Sequence, residues 1–242
     1  MAREITEYIE RYFKYIESVK NAIEDLSSSN YIPHLKYLTG IALLDTMAKC
    51  VIKPNPKNNY ERFTNFIKTF CDWDTCIKIS LPHLVRFLRV FPSQDFKNLR
   101  NLAYSTLAEW KQENIYYLDK DFSYEEILDL WPKDKEHGEP IEKKSLNSLT
   151  HLSLLWSFRN SIVHELQIPG YGSIVLISRS TEAGYHFQNK LSGGTWELVY
   201  PVPFIMKLID NGTKNLKQYC INNSLNPYDC YKFGSYWIDA LN

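Results

Sequence analysis

The chain has 242 residues, enough for one or two domains with a sizeable buried core. Apolar residues make up 44% and charged residues 23%, with 28 Lys+Arg set against 28 Asp+Glu. Those values exclude a disordered, collagen-like or disulfide-stapled chain, and zero net charge excludes nucleic-acid binding by bulk charge, leaving only a local basic groove. Aromatic content is high, 14% with 17 Tyr, which suits a large helical core and adhesive interfaces.

No stretch approaches the roughly 18–20 continuous apolar residues that cross a bilayer. The opening, MAREITEYIERYFKYIESV, is amphipathic and acidic from residue 4, unlike a signal or transit peptide. Five scattered cysteines, Cys50, Cys71, Cys76, Cys220 and Cys230, fit a reducing cytoplasm. Cys71 and Cys76 have Asp72, Asp74 and His83 nearby, but no second Cys/His pair stands at ligand spacing. They read as structural thiols; no metal and no cofactor is expected.

Residues 2–26 place Ile5, Ile9, Tyr12, Phe13, Ile16 and Ile23 at helical spacing, and the run ends in Ser27-Ser28-Ser29-Asn30. A second helix is predicted from Pro33 to Ile52, apolar over 38–51 and stopped by Pro54-Asn55-Pro56. A third covers 59–71. Ser80 followed by Pro82 reads as an N-cap with proline in the first turn, opening a short helix to Val90. Helices over 95–113 and 123–131 follow, the second with Ser123 and Glu126 spaced as a capping box. The charged stretch 133–144 reads as a loop and Ser145–Glu165 as one further helix.

After Pro169-Gly170 the pattern changes to short β-branched or aromatic runs, Ser173–Ser178, Tyr185–Asn189 and Trp196–Val199, separated by glycine-containing turns. They read as a small antiparallel meander. Pro201 and Pro203 close it, and Phe204–Cys220 returns to helix. The expected architecture is a mainly α single domain over 1–242. Its helical core spans about 2–165 plus a last helix over about 203–221, with a β excursion over about 173–200.

One segment carries chemistry: Trp156-Ser157-Phe158-Arg159-Asn160-Ser161-Ile162-Val163-His164-Glu165. Arginine is a permanent planar cation that grips phosphate oxygens with paired N–H donors. Histidine moves protons near neutral pH. Together they suffice to cleave a phosphodiester whose own 2′-hydroxyl is the nucleophile. On a helix Asn160 and His164 lie one turn apart on one face, so Asn160 is placed to orient the imidazole. That face continues back through Ser157, Ser153 and Thr150, small residues that would let another helix approach. Arg159 sits about 140° around the helix from His164, so an ideal helix alone does not join the pair. The plainer alternative is also open: Arg159 as an arginine at the core edge, and His164 as a cation at a helix C-terminus.

The segment Arg159-Asn160-Ser161-Ile162-Val163-His164 resembles the R-x4–6-H signature of HEPN domains, whose Arg is often followed by Asn and whose motif lies late in a helical bundle. The resemblance implies a HEPN-like helical bundle and a metal-independent endoribonuclease, of a kind common in toxins and antiviral defence. It further implies a composite site at a homodimer interface, with His164 transferring protons, Arg159 clamping phosphate and Asn160 orienting. Such sites often take a supporting acidic or polar residue from an earlier helix, for which Asp45 is the candidate; Glu165, next to His164, is a further supporting candidate. Family toxins silenced by an adenylylating partner often carry Tyr two residues after the His, where this chain has Leu166, with Tyr171 out of register. The implied partners are RNA, a second copy of the chain, and an antitoxin or defence-system protein, with no membrane. The alternative is a non-catalytic HEPN module that binds RNA or nucleotide or assembles a complex. Local basic candidates for RNA contact are Arg86 and Arg89, with Lys97 and Arg100 beyond; the aromatic meander residues Tyr185, Phe187 and Trp196 are placed to stack a base or to pack as core.

Overall fold

The computed structural model describes residues 2–26, 32–51, 59–134, 138–173, 180–189 and 193–230. It is mainly helical with one small antiparallel sheet, as the periodicities predict. By its internal contacts the chain divides into two compact units, residues 1–72 with 205–242, and residues 73–204.

The first unit contains α1 (Ala2–Asp25), α2 (Ile32–Val51), α3 (Asn59–Phe70) and most of α9 (Val202–Asn222). The amphipathic face of α1 buries Ile9, Tyr12, Phe13, Ile16 and Ile23. Helix α2 is apolar nearly all round, and Ile41, Leu44, Met47 and Ala48 are fully enclosed. Gly40 lets α2 approach α9 closely: a Cβ there would stand 3.0 Å from Ile205 Cγ2. Lys20 joins α1 to α9 through Asp210 at 2.5 Å. Asn211 and Asn215 of α9 donate to the Cys71 and Phe70 carbonyls, satisfying the C-terminal end of α3.

The second unit holds α4 (Leu81–Val90), α5 (Lys97–Ala108), α6 (Tyr124–Leu130), α7 (Lys143–Ser148) and α8 (His151–Glu165). Its core joins Leu81, Leu84, Val85 and Leu88 of α4 to Leu99 and Ala103 of α5, Ile127, Trp131, Leu146 and Leu149. The Ser123 and Glu126 capping box forms as read, with Glu126 N–H donating to Ser123 Oγ at 3.2 Å and Ser123 N–H to Glu126 Oε2 at 2.7 Å. These bonds hold the Glu126 carboxyl below its ordinary pKa.

The helix expected over Ser145–Glu165 is broken. Helix α7 ends at Ser148, and Thr150 caps α8 by accepting from Ser153 N–H. Leu149 and Thr150 are spent on other partners, because the extended segment 78–80 docks beside them. Ser80 N–H donates to the Leu149 carbonyl, His151 N–H to that of Lys78, and Ile79 N–H to that of Phe122. A pairing partner some seventy residues away thus overrides a local helical period.

The sheet is β1 (Tyr116–Tyr117), β2 (Gly184–Gln188) and β3 (Thr195–Val199), antiparallel throughout in that order. Strands β2 and β3 match the expected meander, with Tyr185 opposite Leu198 and Phe187 opposite Trp196. Residues 174–178 of the first expected strand lie outside the described residues, and β1 was not anticipated; two residues are too short to show an alternation. At Gly184 a Cβ would stand 2.7 Å from the Tyr116 carbonyl oxygen. Gly184→Ala is therefore expected to lower stability by about 1–3 kcal/mol, measured by urea titration, because β1 must move or detach.

Candidate functional site

Helix α8 carries the Arg159-to-His164 motif in its last turns. At its N-terminal end, His151 is wholly enclosed. Phe158 and Ile162 bury the core face, and the helix closes at Leu166, an exposed residue in the left-handed region at φ 53° whose N–H bonds the Ile162 carbonyl. His164 and Glu165 are exposed, and Arg159 and Asn160 are half-buried.

Arg159 Nη1 donates to Asn160 Oδ1 at 3.0 Å, and its guanidinium carbon lies 4.9 Å from the centre of the Trp156 ring. Asn160, expected to orient the imidazole, offers its carbonyl oxygen to the arginine. Charge-assisted bonding and the aromatic face limit the rotamers open to Arg159. The small-residue face is shorter than the sequence suggests. Ser153 is buried and donates to the Asn147 carbonyl at 2.8 Å, and Thr150 is the cap, so neither offers a seam for a second helix. Of that run Ser157 is exposed, and Thr150 keeps part of its surface.

Asp45 is half-buried on α2, in the first unit, whereas Arg159 and His164 belong to the second. Lys97 is exposed at the start of α5. Arg100 is committed to structure: it donates to the carbonyls of Leu88, Phe91 and Ser93 and closes the end of α4. Arg89 is exposed on α4. Arg86, the other candidate for RNA contact, is half-buried and drawn in beside β3, where it donates to Thr195 Oγ1 at 3.0 Å and to the Trp196 carbonyl. Burial pulls its pKa down to about 10. The buried cysteines Cys50, Cys71, Cys76 and Cys220 carry no disulfide. Among the described residues no group of three or more His, Cys, Asp or Glu is placed to hold a metal ion.

A buried polar cluster joins residues that share no local pattern in the sequence. Asp121 Oδ1 accepts from Leu81 N–H at 2.8 Å, so a distant carboxylate, not the Ser80 hydroxyl, caps α4. Asp121 Oδ2 lies 2.7 Å from both His151 Nε2 and the Tyr185 hydroxyl. The Tyr185 hydroxyl is also 2.8 Å from Ser80 Oγ, which stands 2.8 Å from His83 Nδ1. Burial, followed by the Asp121 charge, pushes the Tyr185 hydroxyl far above its ordinary pKa. Ser80, His151 and Tyr185 are sealed from solvent, so the cluster holds the fold and presents no reactive atom to a substrate.

His83 is lowered from 6.5 to about 3, first by burial, then by the Arg86 cation and His151. Between those two values the unfolded chain binds a proton that the folded chain refuses. The stability contributed by neutral His83 is therefore complete above pH 6.5 and is lost progressively as pH falls toward about 3. Denaturant titrations should show a loss of about 1 kcal/mol between roughly pH 7.5 and 5.5, and His83→Asn should flatten that slope.

No family model matches this chain, and comparison with curated proteins and with solved structures likewise returns no match.

Proposed function

We propose that the chain is a metal-independent endoribonuclease that uses Arg159 and His164, completed by a second copy of the same helix in a homodimer. One observation carries the reading: an arginine held by its neighbouring asparagine, with an exposed imidazole following on the same helix end. The resemblance to the HEPN motif supports it. In the reaction His164 takes up and returns protons as the 2′-oxygen attacks phosphorus and the bond to the 5′-oxygen breaks. Arg159 holds the non-bridging oxygens, where charge gathers in the transition state. Its rigid fork is well matched to them, and lysine would be a poor replacement.

The offset of Arg159 from His164 around the helix favours a site completed from a partner copy, each chain giving one member of a pair. A second reading, a non-catalytic module that binds RNA or nucleotide, is favoured by a separate cationic pocket around Arg86.

Wild-type protein should cleave unstructured RNA in the presence of EDTA. His164→Ala and Arg159→Ala should each lower the rate by about 10²-fold or more while keeping the native circular dichroism. His164 is exposed and Arg159 half-buried, so both truncations are compatible with folding. Equal cleavage by wild type and both variants would refute the assignment, and absence of cleavage at high protein concentration would favour the binding module.

A further inference from the structure

The second unit contains a pocket of about 430 Å³ between α4, the end of α5 and the sheet. Its walls include Arg86, Arg89, Tyr104, Trp110, Tyr171 and Trp196. The volume lies within the roughly 300–1,000 Å³ usual for small-molecule sites.

Arg86 is the unusual member. Its Nη2 is held by Thr195 and the Trp196 carbonyl, which fixes the guanidinium plane. Its carbon lies 3.8 Å from the centre of the Tyr171 ring. Its Nη1 is buried with no hydrogen-bond partner among the described residues. No carboxylate among them pairs with it, and Glu197 acts only through longer-range attraction. A half-buried cation with one donor unspent is costly, because desolvation is not repaid by a counter-charge. An anion supplied from outside would repay it. Arg89, three residues along α4 and therefore on a neighbouring surface, adds a second positive charge at the exposed side.

The aromatic walls specify the rest of the ligand. Trp110 has one face covered by Tyr116, with ring centres 4.4 Å apart and planes within 7°. Trp196 meets Trp110 edge to face at 5.1 Å. This packing fixes both indoles in place before any ligand arrives. Tyr171, half-exposed and at φ 67°, covers Arg86 on the open side. Planar rings on the walls and two cations select a planar base joined to a phosphate, for which one positive charge would be too few. A simple aliphatic carboxylate would leave the indoles unused.

We propose that this pocket binds a single nucleotide unit, its phosphate at Arg86 and Arg89 and its base against Trp110 and Trp196. Both a free nucleotide and one residue of an RNA strand present that unit. The inference does not depend on the chemistry of α8, because binding rather than cleavage reads it.

Titration of the intact chain with AMP, followed by tryptophan fluorescence, tests it. AMP should quench saturably, and adenosine or inorganic phosphate alone should bind at least about tenfold more weakly. Trp110→Ala and Arg86→Gln should weaken AMP by about tenfold or more. Arg89→Gln, an exposed change that spares the fold, should weaken it several-fold. A short oligoribonucleotide that displaces AMP identifies a strand as one source, and one that fails to displace it leaves the free nucleotide as the source. No saturable response to AMP up to about 1 mM, or undiminished binding in folded Arg86→Gln and Arg89→Gln proteins, overturns the proposal.

Discussion

A carboxylate without solvent contact must collect its hydrogen bonds from the protein, and Asp121 collects them from three separate places. They are the first N–H of α4, the imidazole of His151 at the start of α8, and the hydroxyl of Tyr185 on β2. Removing any one donor leaves charge buried with less to balance it, so the three elements are fixed together. Ser80 extends the hub to His83, and Lys78 ties the same corner by donating to the carbonyls of Asp119 and Asp121. The start of α8 is therefore among the most constrained backbone in the second unit.

That constraint shapes the two surfaces with chemical potential. Helix α8 is anchored at His151, so its far end presents Arg159, Asn160 and His164 on a helix whose axis is already set. A site on a rigid element is better positioned than one on a loop. Helix α4 leaves the same hub in another direction and brings Arg86 against β3, where backbone and hydroxyl acceptors hold the guanidinium without neutralising it. One buried carboxylate thus helps to fix the helices behind both the Arg159-to-His164 motif and the aromatic pocket.

The helices were legible wherever one element makes its own periodic or capping pattern. Ile9, Tyr12, Phe13 and Ile16 announce α1, and Ser123 with Glu126 announces α6, because both signals are complete within a turn or two. The break at Leu149 and Thr150 was not legible, since it depends on residues 78–80 pairing there. Asp121, His151 and Tyr185 are each a lone polar residue in its own segment, and their relation exists only after folding. Arg86 fits the solvent face of an amphipathic α4, and it loses that exposure to a strand arriving about a hundred residues later. Arg159, Asn160 and His164 were visible because their relation is local, although the bond that Asn160 makes was not.

The ends of any RNA that the chain cleaves probe the chemistry proposed for α8 most directly, since they record which oxygen attacked phosphorus. Attack by the 2′-hydroxyl, with Arg159 and His164 serving the phosphoryl oxygens and the protons, leaves a 2′,3′-cyclic phosphate on one fragment and a 5′-hydroxyl on the other. Mass spectrometry of the products should find those termini in wild type, and they should vanish with His164→Ala. Fragments ending in 3′-hydroxyl and 5′-phosphate would mean that water attacked instead, and would contradict the mechanism.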